Sequence, residues 1–270
     1  MKRKIPLILL CIFFAGMAVY YGLGLFRQWQ EYKAGEEAYE VLSQYVAPQA
    51  SPATTEPGRE EKTETLPPEE SIPAEPVPTE ETDDTLWPLV DFEALQTINP
   101  DVCGWIRIEG TKIDYPVVQG PDNSYYLRRL FDGSTNSAGS IFMDYRNHRD
   151  LSCRNTILYG HHMKNGLMFN QVTKYKDQSF YDQHPTGLLL TPDGNYRIEF
   201  VAGYVTNLND DAWKIEFESD EEFSLWLEDA IARSTFIGTV QPTPQDRVVT
   251  LSTCTYEYND ARYVLVGILK

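Results

Sequence analysis

Residues 248–254 read Val-Val-Thr-Leu-Ser-Thr-Cys, and residues 262–266 read Arg-Tyr-Val-Leu-Val. Both runs are rich in β-branched and aromatic residues, and a polar turn at residues 256–260 separates them, so we expect two adjacent antiparallel strands. In such a pair the thiol of Cys254 lies beside the guanidinium of Arg262. The two runs decide the fold because they fix the register around a cysteine at a strand end.

Several other short runs have strand character and are separated by turn residues, which indicates a mainly β fold of the barrel or sandwich type with peripheral helices. One longer helix is predicted where Ser219 begins a capping box and apolar residues follow at helical spacing. A short helix is predicted from residue 92, closed by Asn99 and Pro100. The predicted strands lie at residues 104–108, 113–118, 139–143, 155–159, 187–191 and 196–206.

The N-terminus combines a basic tail at residues 1–4 with an apolar run at residues 5–26. As a helix, such a run is about 33 Å long and would span a hydrocarbon core of about 30 Å. A cleaved signal peptide has a shorter apolar region, so we expect a single-pass membrane anchor. The basic tail predicts a cytoplasmic N-terminus, with the rest of the chain outside the cell.

Residues 27–46 have helical composition and are expected to form a stalk, and residues 47–85 a linker rich in proline and glutamate. Between residues 48 and 84 eleven acidic residues face only Arg59 and Lys62, so nine of the seventeen net negative charges lie there. This composition predicts a semi-extended spacer that lifts a domain at residues 86–270 away from the membrane. The acidic balance argues against nucleic acid as a partner.

The chain has four cysteines, of which Cys11 lies in the apolar run. Cys103 and Cys153 could form a disulfide, but sparse cysteine usage favours two buried free thiols. No Cys-x-x-Cys pair or comparable ligand spacing occurs, so we expect no metal. Cys254 differs from the others because it lies at a strand end and is followed by an arginine, which lowers a thiol pKa.

Histidines follow a strand-like run at residues 155–159, where the sequence continues Gly-His-His-Met. Adjacent residues at a strand end point in opposite directions, so only one of His161 and His162 could serve the thiol. Cysteine, histidine and arginine together form the parts of a thiol acyl-transfer site: nucleophile, proton carrier and oxyanion stabiliser.

Thr-Leu-Ser-Thr-Cys at residues 250–254, followed by Arg262, resembles the signature of sortases, the membrane-anchored transpeptidases of Gram-positive surfaces. The likeness runs from about residue 90 to the C-terminus, and the helix that begins at Ser219 matches an extra helix of class B. Five further segments resemble class B sortases in the expected order: residues 104–106, 114–117, 122–127, 139–142 and 159–163.

The resemblance implies an eight-stranded sortase barrel with N-terminal helices and no cofactor or metal. It also implies that Cys254 is the nucleophile, that His161 is the proton carrier, and that Arg262 stabilises the oxyanion or positions the substrate. The positions that match the class B substrate groove are Asn123, Leu127, Tyr159 and Ser252.

In this family the thiolate attacks the threonine carbonyl of a Pro-x-Thr sorting motif in a surface protein, and a thioester forms. An amine of the peptidoglycan precursor, or a pilin lysine, then resolves the thioester. The residue that begins the motif and the choice between the two amines stay open at the level of sequence. The segment between residues 206 and 217 is expected to help select the motif.

Three alternatives share parts of this pattern. A hydrolytic cysteine peptidase would use the same nucleophile, but papain-like enzymes place the cysteine before the histidine. An L,D-transpeptidase would show a tight Ser-His-Gly and cysteine cluster, whereas His161 and Cys254 are far apart in this sequence. A non-enzymatic anchored adhesin would not need cysteine, histidine and arginine together.

Overall fold

The computed structural model describes residues 5–47 and 87–270, except for the side chains of residues 5–9, 11 and 12. The predicted cytoplasmic tail at residues 1–4 lies outside the described residues. So does nearly all of the predicted linker at residues 47–85, together with residue 86, where the catalytic domain was expected to begin.

Eight strands close into a barrel in the order β10-β8-β7-β3-β4-β5-β6-β9, which confirms the predicted mainly β fold. A separate two-stranded sheet is formed by β1 (Val46–Ala47) and β2 (Leu89–Val90). The barrel strands are β3 (Val102–Arg107), β4 (Asp114–Val118), β5 (Ile141–Met143), β6 (Asn155–Tyr159), β7 (Thr186–Thr191), β8 (Gly194–Thr206), β9 (Arg247–Cys254) and β10 (Arg262–Leu269).

Two of the barrel contacts are parallel, β4 with β5 and β6 with β9, and the other six are antiparallel. In β10 alternate residues face opposite sides of the sheet. Tyr263 and Leu265 belong to the main core, while Val264 and Val266 belong to a second apolar cluster beneath a helix. Burial on both faces explains why β10 reads as an almost continuous apolar run.

Helical segments surround the barrel. The predicted capping box is present: the Ser219 hydroxyl accepts a hydrogen bond from the backbone N–H of Glu222, and Phe223 and Trp226 pack against β10. The helices are α1 (Ile5–Leu42), α2 (Phe92–Ile98), α3 (Gln178–Gln183) and α4 (Asp220–Ala232), with 3-10 turns at Ser43–Tyr45, Tyr125–Arg128, Phe169–Lys176 and Asp211–Trp213.

Residues 169–183 are helical, although no local pattern predicted a helix there. Phe169, Val172 and Tyr175 are buried there at intervals of three residues, which suits a 3-10 turn packed on the core. The Asp177 side chain then accepts from Ser179 N and starts α3. Each helical segment is short and mixes apolar with polar residues, so its periodicity is too weak to detect unless the core against which it packs is known.

The C-terminal part of α1 packs on the barrel domain, although residues 27–46 were expected to be a stalk. The Tyr39 hydroxyl donates to Gly139 O at 2.6 Å, and Asn136 Nδ2 donates to Glu31 O at 3.0 Å. Tyr39 and Leu42 are buried in the same core as the barrel residues. The packed unit therefore includes residues well before residue 86.

The ends of the proline- and glutamate-rich segment are held together. Val46 pairs with Val90 and Ala47 with Leu89 in an antiparallel register, and Asp91 N donates to Tyr45 O at 2.9 Å. Opposite residues in such a pair lie about 5 Å apart. The segment between them therefore leaves and re-enters the domain at one place, instead of separating the domain from α1.

Among the side chains that the structure describes, no helix has the length and apolar character required to cross a membrane. The predicted anchor at residues 5–26 lies partly outside those side chains, and its role stays a prediction.

Cys103 and Cys153 are buried and unbridged, as their sparse usage predicted. Burial raises the pKa of Cys103 to about 12, so this thiol stays protonated at neutral pH. Both cysteines are therefore small core residues.

Deleting residues 50–84 should leave the domain folded and α1 attached. The paired strands β1 and β2 already hold the two ends together, and closing a shorter loop loses less conformational entropy. Thermal unfolding should show a Tm equal to or above that of the full chain. A lower Tm together with proteolytic release of residues 31–47 would contradict this result.

Candidate active site

A cavity of about 630 Å³ lies on the outer face of the barrel, at the ends of β6 and β9. The segment after β8 forms one wall with Leu208 and Trp213. The role of residues 206–217 in selecting the motif stays a prediction. All seven residues that the sequence nominated line this single cavity: Asn123, Leu127, Tyr159, His161, Ser252, Cys254 and Arg262.

Cys254 and Arg262 form a direct cross-strand pair between β9 and β10, in the register predicted from the sequence. Directly opposite residues in an antiparallel pair project on the same face with their Cβ atoms about 5 Å apart. Both side chains are half-buried. Arg262 Nη1 donates to Ala261 O at 3.1 Å, which leaves the rest of its donor fork directed to the cavity that it lines.

His161 reaches the same face from the neighbouring strand. The strands β6 and β9 are parallel, with Tyr159 opposite Ser252, and Gly160 N donates to Ser252 O at 3.1 Å. His161 follows the end of β6 by two residues, Cys254 lies two residues after Ser252 on β9, and both line the same cavity. The parallel pairing therefore converts two distant sequence positions into neighbours.

Gly160 is required by close packing at this point. A Cβ atom there would lie 2.5 Å from Ile141 Cδ1 and 2.6 Å from Phe169 Cγ, both in the core. His161 Nε2 lies 2.7 Å from the Leu127 carbonyl and must donate, because a carbonyl oxygen only accepts. Its Nδ1 has no hydrogen-bond partner among residues 87–270 and is the ring nitrogen free to exchange a proton.

His162 points away from the cavity, as expected for adjacent residues at a strand end. Asn170 Nδ2 lies 3.2 Å from His162 Nε2, and the His162 ring makes an edge contact with Tyr256 at 5.3 Å between centroids. Burial lowers the pKa of His162, so the ring is neutral at pH 7 with Nε2 as an acceptor. Its role is to pack against the loop after Cys254.

That loop is tied to the rest of the domain by Lys176. Lys176 Nζ donates to Thr255 Oγ1 at 2.8 Å and forms an ion pair with Glu257, and Thr255 Oγ1 donates to Glu257 Oε2 at 2.6 Å. Burial opposes ionisation of Glu257, but these hydrogen bonds outweigh it and lower its pKa to about 2. The tether holds the connection between Cys254 and Arg262 in place.

The predicted groove residues have defined partners. Asn123 Nδ2 and the Tyr159 hydroxyl both donate to Asp144 Oδ2 at 2.9 Å. The Ser252 hydroxyl accepts from Trp213 Nε1 at 3.3 Å. Leu127 supplies its carbonyl to His161 and is 38% exposed, so it presents an apolar surface at the mouth of the cavity.

Sequence reasoning missed Asp144, Arg146, Trp213 and Lys214. Arg146, Trp213 and Lys214 line the cavity, and Asp144 lies beneath it. Asp144 follows directly after the predicted strand at residues 139–143, and an acidic residue at the end of a buried strand was a usable signal. Trp213 and Lys214 lie in a loop whose shape no local pattern determines.

Within residues 5–47 and 87–270, no group of three or more His, Cys, Asp or Glu side chains is arranged to hold a metal ion.

Comparison with known protein families matches residues 106–270 to the sortase domain. Among curated proteins, sortase B of Staphylococcus aureus (strain NCTC 8325 / PS 47) is 37% identical over 179 residues, covering 66% of this chain and 73% of that protein. Sortase B of Listeria monocytogenes serovar 1/2a (strain ATCC BAA-679 / EGD-e) is 40% identical over the same length and shares.

Solved structures agree with the sequence relatives. A Staphylococcus aureus sortase B–substrate complex superposes with a TM-score of 0.64 at 37% identity, covering 66% of this chain and 84% of that one. Clostridium perfringens sortase B gives a TM-score of 0.63 at 34% identity, covering 66% and 99%. The eight-stranded barrel described above is therefore of the same type as in these enzymes.

Lys176→Met should loosen the loop at residues 255–261 without unfolding the domain, because a half-exposed ion pair contributes little to global stability. Amide hydrogen exchange in the loop should accelerate, with a small change in Tm. Lys174→Met, two residues away, is the matched control and should leave exchange unchanged, since Lys174 contacts the Phe180 ring instead.

The pH dependence of this effect has a defined sign. The pKa of Glu257 is lowered from 4.5 to about 2 in the folded protein, so its contribution is present above pH 4.5 and is lost as the pH falls toward 2. The difference in loop exchange between wild type and Lys176→Met should shrink over that window. A difference that persists at pH 2 would assign the effect to something other than the ion pair.

Proposed function

The chain belongs to the sortase family, in class B, and from that premise we propose that it uses Cys254 to cleave a Pro-x-Thr type sorting motif of surface proteins and to transfer the acyl group to an amine. Sortases are cysteine transpeptidases that act in cell-wall sorting. The observation that carries the proposal is the meeting of Cys254, His161 and Arg262 in one cavity from three neighbouring strands.

In the first half-reaction the Cys254 thiolate attacks the threonine carbonyl carbon, and the carbonyl electrons move onto oxygen. The Arg262 guanidinium, opposite Cys254 in the sheet, is placed to stabilise this oxyanion with charge-assisted hydrogen bonds. The tetrahedral intermediate collapses as the C–N bond breaks, and His161 gives a proton to the leaving amine. The product is a thioester between threonine and Cys254.

In the second half-reaction the nitrogen of an acceptor amine attacks the thioester carbonyl. His161 takes the proton that this nitrogen loses, the C–S bond breaks, and the thiolate is restored. We propose an amine of the peptidoglycan precursor as the acceptor, with a pilin lysine as the alternative. Both supply a primary amine, so the cavity chemistry is the same for either.

Asn123, Leu127, Tyr159 and Ser252 are proposed to line the groove for the motif. Leu127 offers an apolar surface to proline, while Asn123, Tyr159 and Ser252 add polar side chains to the lining. The wall formed by Leu208 and Trp213 lies over the same cavity and supports a role in motif selection.

We propose further that residues 5–26 anchor the enzyme in the cell membrane, with residues 1–4 in the cytoplasm and residues 86–270 outside. The support is the apolar run beside a basic tail and the cell-surface role of the sortase family. Since α1 runs unbroken from Ile5 to Leu42 and its end packs on the domain, the anchor would join the catalytic domain directly.

The test uses the chain from residue 27 onward, Pro-x-Thr peptides that differ in their first residue, and an added amine, with mass spectrometry as the readout. We expect a thioester on Cys254 and an amine-ligated product from wild type. Cys254→Ala should give neither, with a nearly unchanged Tm because the thiol is half-exposed at a strand end. Hydrolysis alone in excess amine would favour a peptidase, and no adduct with any peptide would overturn the proposal.

Arg262→Lys should reduce kcat by several orders of magnitude while leaving the Tm close to that of wild type. An ammonium keeps the charge but cannot reproduce the planar fork of donors that faces the oxyanion. Steady-state kinetics with the best peptide measures the effect, and Lys270→Arg at the end of the same strand serves as a surface control. Wild-type turnover by Arg262→Lys would remove Arg262 from the mechanism.

A further inference from the structure

A buried carboxylate lies beneath the peptide groove and belongs to no residue assigned above to chemistry or binding. Asp144 follows β5, and its side chain is 0% exposed. It therefore cannot touch a substrate in the cavity. A charge this deeply buried is costly unless it is fully paired, so its partners show what it is for.

Every side chain that binds the Asp144 carboxylate lines the cavity. Oδ2 accepts from Asn123 Nδ2 and the Tyr159 hydroxyl, each at 2.9 Å, and from Arg146 Nη2 at 2.8 Å. Oδ1 accepts from Arg146 Nε at 2.9 Å and from the Arg146 backbone N–H at 3.0 Å. One carboxylate thus ties together side chains from the segments after β4, after β5 and at the end of β6.

The network continues to the opposite wall. Arg146 Nη2 approaches the Trp213 carbonyl at 3.5 Å, and Trp213 Nε1 donates to the Ser252 hydroxyl at 3.3 Å. Ser252 lies two residues before Cys254 on β9. A continuous path of polar contacts therefore runs from Asn123 under the groove to the strand that carries the thiol.

The carboxylate is ionised in this setting. Burial would raise the pKa of Asp144, but the hydrogen bonds from Arg146, Asn123 and Tyr159 outweigh it and hold the pKa below its usual range. Five donors converge on its two oxygens, which leaves no room for a protonated oxygen that would itself need an acceptor.

We propose that Asp144 is a positioning residue that sets the shape of the sorting-motif groove by fixing Asn123, Tyr159 and Arg146 relative to one another, an inference that rests on the proposed function. Asp144 itself makes no contact with Cys254 or Arg262. Its effect therefore falls on binding of the peptide rather than on the bond-making steps.

Asp144→Asn tests this because it keeps the size of the side chain and replaces one acceptor oxygen with a donor that repels the groove donors. The KM for the best Pro-x-Thr peptide should rise about tenfold or more, equivalent to about 1.4 kcal/mol, while kcat stays within about twofold. The rate at which a small alkylating reagent modifies Cys254 should stay unchanged, because the thiol environment does not include Asp144.

The matched control is Asp246→Asn. Asp246 is also largely buried and pairs with a lysine, Lys270, but it lies outside the cavity lining. This substitution should lower the Tm with no change in KM. A double-mutant cycle adds a second test: Tyr159→Phe should raise KM alone and have little further effect when Asp144 is already Asn.

Three results would overturn the proposal. A lower Tm with unchanged KM would give Asp144 a purely structural role, and a lost kcat with unchanged KM would place it in the chemistry. If Asp144→Asn does not fold, Tyr159→Phe, which leaves the carboxylate paired with Arg146 and Asn123, must still raise KM at constant kcat. The third result that would overturn the proposal is an unchanged KM in Tyr159→Phe.

Failure of the proposed function is a separate outcome, recognised when wild type forms no thioester with any peptide. In that case amide hydrogen exchange decides the positioning role without a substrate. Exchange at residues 123–127 and at Tyr159 should increase in Asp144→Asn and not in Asp246→Asn. Equal exchange in both variants would refute the role of Asp144 in holding the groove.

Discussion

The register of three neighbouring strands is the constraint on which the site depends. Parallel pairing of β6 with β9 and antiparallel pairing of β9 with β10 place His161, Cys254 and Arg262 on one face. Side chains alternate with a period of two, so a slip of one residue in either pairing would turn the thiol away from one partner. In β10 such a slip would exchange Tyr263 and Leu265, which pack in the main core, with Val264 and Val266, which fit the second apolar cluster, and the mismatch in size opposes it.

Charges around the groove are mostly neutralised before any ligand arrives. Asp144 pairs with Arg146, Asp210 with Arg233, and Lys214 with Glu222. These ion pairs hold the walls of the cavity in place. They also leave few free charges in the walls, which suits a peptide whose backbone offers dipoles rather than charges. Within the described residues Arg262 differs, since its guanidinium donates only to a carbonyl, so its charge is available to an oxyanion.

The sequence predicted the parts of the fold that local patterns determine. The strands were recognisable because their residues are β-branched or aromatic and are bounded by turns, and α4 because a capping serine precedes an amphipathic run. The pairing of residues 248–254 with residues 262–266 followed from the short turn between them, and this is why Cys254 and Arg262 could be placed together.

Other features needed the folded chain. Packing of α1 through Tyr39 and the pairing of β1 with β2 are contacts between segments that no periodicity links. The partners of Asp144 come from three segments, so its role could be recognised only where the folded chain brings those segments together. Alternation showed only that one of His161 and His162 could serve the thiol, and the resemblance to sortases pointed to His161. The reason for the glycine before it appeared only as a steric limit.

The pairing of β1 with β2 places the two ends of the intervening segment side by side, so this segment branches from the folded unit at one point. The branch can therefore gain or lose residues without moving the thiol of Cys254. Such a branch is a natural position for inserting an affinity tag or a fluorescent reporter. Its length and composition can also change in evolution while the catalytic geometry stays fixed.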